Sequence, residues 1–115
     1  MDVTRLDSAP AYHPPNHHDM RCLRLQGHEA TPSESLWLGL SYLLPGGRTT
    51  LDASPLEKLY VVVEGAVTIV TDGGEVTLGR LDSCRIASGE HRRLENRTNR
   101  PASILLAMPY AAATG

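Results

Sequence analysis

The stretch Ser54-Pro55-Leu56-Glu57-Lys58-Leu59-Tyr60-Val61-Val62-Val63-Glu64-Gly65 decides how this chain is read. Its centre, Leu59 to Val63, is a nearly continuous run of β-branched and aromatic residues, suited to a strand covered on both faces. Gly65 tolerates backbone angles that a side chain forbids, so the strand can turn sharply where it ends. Alternation along the strand places Lys58, Tyr60, Val62 and Glu64 on one face.

Short apolar segments between turn signals continue in both directions. Downstream, Ala66–Val70 and Glu75–Leu78 flank Asp72-Gly73-Gly74, a hairpin signal. Ser83–Ala87, Arg92–Glu95 and Ala102–Met108 follow, separated by Ser88-Gly89 and by the turn-rich 96–101. Upstream, Arg21–Leu25 alternates loosely. In Ser35–Leu44, Leu36, Leu38 and Leu40 share one face and Trp37 takes the other, until Pro45-Gly46-Gly47 ends the run. No segment carries a sustained helical stripe. Roughly eight or nine short strands at this spacing predict an all-β jelly-roll barrel or sandwich. Residues 1–19, with Pro10, Pro14 and Pro15, are expected to be irregular. The barrel domain is expected over residues 20–110, and residues 111–115 as a tail.

The chain has 115 residues, enough for one domain with a single core. It contains no phenylalanine, one tryptophan and four tyrosines, so Leu, Val, Ile, Ala and Met must build that core. A formal net charge of −2 gives no general attraction to nucleic acid or anionic lipid. No apolar run is long enough to span a membrane, and the opening Met1–Asp7 lacks the apolar core of a signal peptide. Cys22 and Cys84 are expected to be buried free thiols of a cytoplasmic protein. Trp37 and Tyr42 are expected in the core or at an interface.

From Pro45 to Met108 the order of features resembles the cupin superfamily, in its small cupin-2-like, RmlC-like conserved-barrel form. The resemblance rests on Pro45-Gly46-Gly47, then Glu57 through Gly65, a hairpin, Leu81-Asp82, Ile86, Gly89, Asn96 and a closing apolar strand. It implies a double-stranded β-helix, a homodimer assembled through edge strands and, in most members, a metal held by three histidines and one carboxylate. The family's first motif sets two histidines one residue apart, then a glutamate, then a glycine after six intervening residues. Its second motif sets a histidine soon after a glycine and a few residues before an asparagine.

Counted from Gly65, the glutamate position is Lys58. The paired-histidine positions fall on Leu51 and Ala53, or on Asp52 and Ser54 with a loop one residue shorter. Counted from Gly89, the second-motif position is Arg92, with His91 one place early. The expectation is therefore a barrel without a metal or other cofactor. The alternative is a metal-dependent dioxygenase-like or isomerase enzyme. In it, strand bulges turn Glu57 and His91 inward and one of His13, His17, His18 or His28 completes the set.

With Lys58 and Arg92 inside, Tyr60, Val62, Leu94 and Asn96 share the interior. The candidate ligand-binding set is Lys58, Tyr60, Arg92 and Asn96, and the candidate catalytic pair is Lys58 and Arg92. Buried cations need counter-charges. Glu64 and Glu90 are possible internal partners; a small organic anion is the other solution, held for binding or for isomerisation, cleavage or decarboxylation. A desolvated lysine could also act as base or Schiff-base nucleophile. A non-catalytic sensing or storage barrel remains open beside these. His17 and His18 are expected in a solvated loop, or, if the segment folds over the barrel mouth, as a proton donor.

Overall fold

The computed structural model describes residues 1–111. Of the tail expected at 111–115, only the exposed Ala111 falls within it. After a short 3-10 turn at Leu6–Ser8 come nine strands: β1 (Ala11–Tyr12), β2 (His17–Gln26), β3 (Leu36–Thr49), β4 (Lys58–Glu64), β5 (Val67–Thr71), β6 (Gly74–Leu78), β7 (Ser83–Ile86), β8 (Arg92–Glu95) and β9 (Ala102–Pro109). The sheet runs β6-β5-β8-β3-β9-β4-β7, with β2 also paired to β3 and β1 to β2. Pairing throughout is antiparallel. The architecture is the expected all-β jelly roll of cupin and RmlC-like type, a nearly closed double-stranded barrel.

β4 shows why the alternating pattern matters more than the apolar run. Lys58, Tyr60 and Val62 are buried, whereas Val61 and Val63 are half-buried and Leu59 is 49% exposed. The strand is therefore covered on one face and only partly on the other, contrary to the two-sided burial expected. Its register to β9 slips between Val62 and Glu64. The slip breaks the alternation, so Glu64 leaves the interior and lies 3.8 Å from Arg80 at the surface. Glu64 is not an internal partner for Lys58.

β3 departs from expectation as well. Pro45-Gly46-Gly47 bends the strand instead of ending it. Leu36–Leu43 pairs with β9, while Arg48 pairs with Glu95 of β8 and Thr49 with His17 of β2. Gly47 makes the bend possible, because a Cβ there would meet the Asp19 carbonyl oxygen at 2.6 Å. Asn96 closes the corner from the other side: Gly46 N–H donates to its carbonyl and its own N–H donates to the Gly47 carbonyl, both at 2.9 Å.

The core lies between the barrel walls: Leu43, Val62, Val67, Ile69, Leu94 and Ile104 are almost wholly inaccessible. Trp37 is buried near the other end of β3. Cys22 is buried and Cys84 half-buried, and both are free thiols.

Two glycines offer a clean contrast in stability. Gly65 has φ +77°, and a Cβ there would lie 3.0 Å from both the Ala102 backbone and the Pro101 carbonyl. At Gly73 a Cβ would meet only the Thr71 hydroxyl, at 3.8 Å. Gly65→Ala should destabilise the fold by about 1–3 kcal/mol, and Gly73→Ala should stay within about 1 kcal/mol of wild type. Urea titration reads both.

Candidate functional site

The site begins with a hydroxyl. Thr49, buried at the end of β3, accepts from the Leu94 N–H and from Arg92 Nη1, each at 3.1 Å, and donates to the Thr50 carbonyl at 3.0 Å. Arg92 Nε donates to the Tyr60 hydroxyl at 3.0 Å. The guanidinium is thus gripped on two edges by neutral oxygens from β3 and β4. Its backbone is anchored by reciprocal bonds with Asp52, Asp52 N–H to Arg92 C=O at 3.1 Å and Arg92 N–H to Asp52 C=O at 3.0 Å. Two residues from Tyr60 on the same face, Lys58 projects into the same space.

That space is a cavity of about 420 Å³. Lys58 and Arg92 form its charged wall, Trp37, Leu106 and Met108 its apolar wall, and Tyr12, His13, Pro14, Pro15 and His17 its roof. Arg24 and His28 complete the lining at the rim. The expected irregular lead therefore orders itself over the mouth. β1 pairs with β2, and β2 starts at His17, three residues before the expected barrel boundary. Arg24 stacks on the rings of Tyr12 and Trp37, 3.5 and 4.7 Å from their centroids, and bonds Glu29 at 2.9 Å.

Lys58 is 7% exposed and Arg92 8%. The ion pairs among the described residues all lie elsewhere, on Arg24, Arg80, Arg85, His91, Arg93 and Arg97. Glu90, half-buried, spends a carboxylate oxygen on the Ala87 N–H at 2.9 Å and does not neutralise Arg92. Burial, reinforced by the Arg92 charge, pushes the Lys58 ammonium below the ordinary lysine range. Burial also raises the Tyr60 phenol, so it stays a neutral partner for Arg92.

Of the four expected ligand-binding residues, Lys58 and Arg92 line the cavity. Tyr60 sits behind them as the brace of Arg92. Asn96 faces the interior but not the cavity: its amide donates to the Leu43 and Arg100 carbonyls at 3.0 and 2.7 Å, and its oxygen accepts from Thr98. It holds the 96–100 turn.

The metal alternative requires Glu57 and His91 inside, and neither is. Glu57 bonds Arg85 on the outside, and His91 Nδ1 lies 3.0 Å from Asp72 at the surface. Neither strand carries the bulge needed to turn them, since β4–β7 and β5–β8 pair in unbroken register through Lys58 and Arg92. Among the described residues, no three His, Cys, Asp or Glu side chains gather as a metal-binding group. An ammonium and a guanidinium offer a cation no lone pairs, so Lys58 and Arg92 do not serve as metal ligands at the two family positions they occupy.

The sequence offers His13, His17 and His28 only as alternative metal ligands, and His17 as a proton donor over the mouth; it does not single out Tyr12, Pro14, Pro15 or the rim Arg24. The histidine-rich lead was a visible signal for the roof. Nothing in Arg21–Leu25 marks Arg24.

A buried cation without a counter-charge makes a testable cost. A lysine whose folded pKa is depressed is penalised below that pKa. The penalty fades as pH rises towards the unfolded value of 10.5. Lys58→Met, which keeps the stem and removes the charge, should therefore melt a few degrees above wild type at pH 7, with the gap narrowing as pH approaches 10.5. A variant less stable than wild type at pH 7 would show that the ammonium is compensated.

Comparison with known proteins agrees with this architecture. The cupin domain family matches residues 39–108. The chain is 42% identical over 113 residues to Beta-D-galactosidase Rv1717 of Mycobacterium tuberculosis, covering 98% of this chain and 97% of that protein. Among solved structures, the polyketide cyclase RemF of Streptomyces resistomycificus superposes with a TM-score of 0.84 at 18% identity, over 95% of this chain and 79% of that one. A Cupin 2 conserved barrel domain protein from Salinispora arenicola gives 0.77 at 16% identity, over 96% and 90%. At such identities the structural likeness speaks for the fold alone. The sequence matches and the barrel together make this chain a member of the cupin superfamily, in its small cupin-2-like conserved-barrel form.

Proposed function

We propose that the barrel holds a small organic anion in the cavity, anchored by the Lys58 ammonium and the Arg92 guanidinium. One observation carries this reading. Two buried cations share one cavity, and no carboxylate among the described residues lies within ion-pair distance of either. Desolvated charges left without a partner are expensive, and a bound anion removes that expense. Arg92 already has Nε and Nη1 engaged, so its Nη2 edge is the one left for a ligand. Conversion would run through Lys58. Its lowered pKa leaves a larger free-amine fraction, able to take a proton beside a carboxylate or to add to a carbonyl.

A second reading follows from the M. tuberculosis relative: hydrolysis of a β-galactoside. The usual glycosidase employs two carboxyl groups facing the scissile bond. The residues lining this cavity include none, so the anion reading is the better supported by the geometry.

One experiment separates the two. Carboxylic acids, acidic sugars and phosphate are screened by thermal shift on wild type and Arg92→Ala, with nitrophenyl β-D-galactoside hydrolysis followed on the same samples. Anion binding predicts a raised melting temperature in wild type that is lost in the variant, because a ligand bound only to the native state stabilises it. Galactosidase activity predicts nitrophenol release by wild type. No shift with any anion would remove the first reading.

The homodimer belongs to the same proposal. Leu36 and Leu59, both about half exposed, lie on the outside of the sheet beside Pro109 and Ala107, their β9 partners. A second copy covering this strip would bury apolar surface that water otherwise meets. Light scattering should give twice the chain mass for wild type and a monomer for Leu36→Glu/Leu59→Glu; a monomeric wild type would refute it.

A further inference from the structure

His17 supplies what the two cations cannot. Its Nδ1–H donates to the Pro15 carbonyl at 2.7 Å, and since a carbonyl only accepts, that nitrogen carries the proton. The turn that makes this bond is fixed by Pro14 and Pro15 and by Asn16 at φ +62°. The antiparallel pairing of His17 with Thr49 then places the ring next to the hydroxyl that grips Arg92. Burial, with the nearby Arg92 charge adding to it, lowers the His17 pKa against the opposing pull of the Pro15 bond and of Asp52. At neutral pH the ring is therefore uncharged, and Nε2 holds a lone pair with no partner among the described residues. Such a ring can accept at Nε2, whereas the sequence-based alternative had it donate a proton.

Around Arg92 the cavity thus sets two cations that donate beside one ring nitrogen, His17 Nε2, placed to accept. A bare carboxylate satisfies Lys58 and Arg92 but turns an oxygen lone pair towards Nε2. A neutral polyol satisfies Nε2 but leaves both cations uncompensated. An anion that also bears a hydroxyl satisfies all three. Resting on the anion reading above, we propose that the cavity selects hydroxylated anions, hydroxy acids and acidic sugars, with His17 Nε2 accepting the ligand hydroxyl.

The test uses two matched pairs of acids that differ in their hydroxyl groups: D-galacturonate against tetrahydropyran-2-carboxylate, and malate against succinate. Calorimetric titration of wild type should favour the hydroxylated member of at least one pair by about tenfold, the worth of one well-placed hydrogen bond. In His17→Phe the preference should fall to near unity while the affinity for the hydroxyl-free member stays unchanged, which also shows that the variant is folded. His17→Gln, which keeps an acceptor near the Nε2 position, should recover part of it. Equal affinity within both pairs, or a preference that survives in His17→Phe, overturns the role of His17 while leaving the anion reading intact. Failure of all four acids to bind wild type overturns both.

Discussion

The guanidinium of Arg92 is the point on which this barrel turns. It is buried, permanently charged, and held by two neutral oxygens contributed by strands far apart in sequence, Tyr60 on β4 and Thr49 on β3. The same Thr49 hydroxyl accepts the Leu94 N–H, so one side chain both fastens β8 to β3 and aims the cation. Hydrogen bonds of this kind spread the charge but do not neutralise it. A lumen arranged round an unneutralised cation stays polar.

Lys58 and Arg92 stand where the cupin pattern calls for a glutamate and a histidine. The exchange reverses the sign of the chemistry. Metal-binding members gather lone pairs about a cation; this chain gathers cations about a space. The fold accommodates both because alternation along a strand decides only which positions face inward, not what they carry. The barrel therefore testifies little to the reaction, and the argument for function has to be made from the side chains on its inner wall.

The roof of the cavity is built differently from its walls. β4 and β8 are interior strands with fixed register, whereas Tyr12 to His17 belongs to a proline-rich segment pinned by a two-residue strand and by the start of β2. Two prolines fix φ and give up backbone donors, so the segment can cross the mouth without leaving amide hydrogens unsatisfied above it. Its carbonyl at Pro15 instead orients His17. Rigid walls set the charges in place, and a tethered strap brings His17 to the cavity.

Strand number, the hairpins and the inward parity of Lys58 and Arg92 could be read from the chain alone, because each rests on local rules: turn chemistry, β-branched runs and a period of two. The spacing from Gly65 and from Gly89 sufficed to show that cations fill the family's glutamate position and its second-motif histidine position. Assignments that depended on distant partners failed. Glu64 shares the parity of Lys58 yet leaves the lumen at a register slip against β9, and Asn96 faces inward to bond the Leu43 carbonyl of β3 and the Arg100 carbonyl of its own turn. Whether His17 is a loop residue or a cavity wall depends on its pairing with Thr49, thirty-two positions away. Local preference carries no information about such a contact; the three-dimensional packing creates it, and with it the place of His17 in the cavity lining.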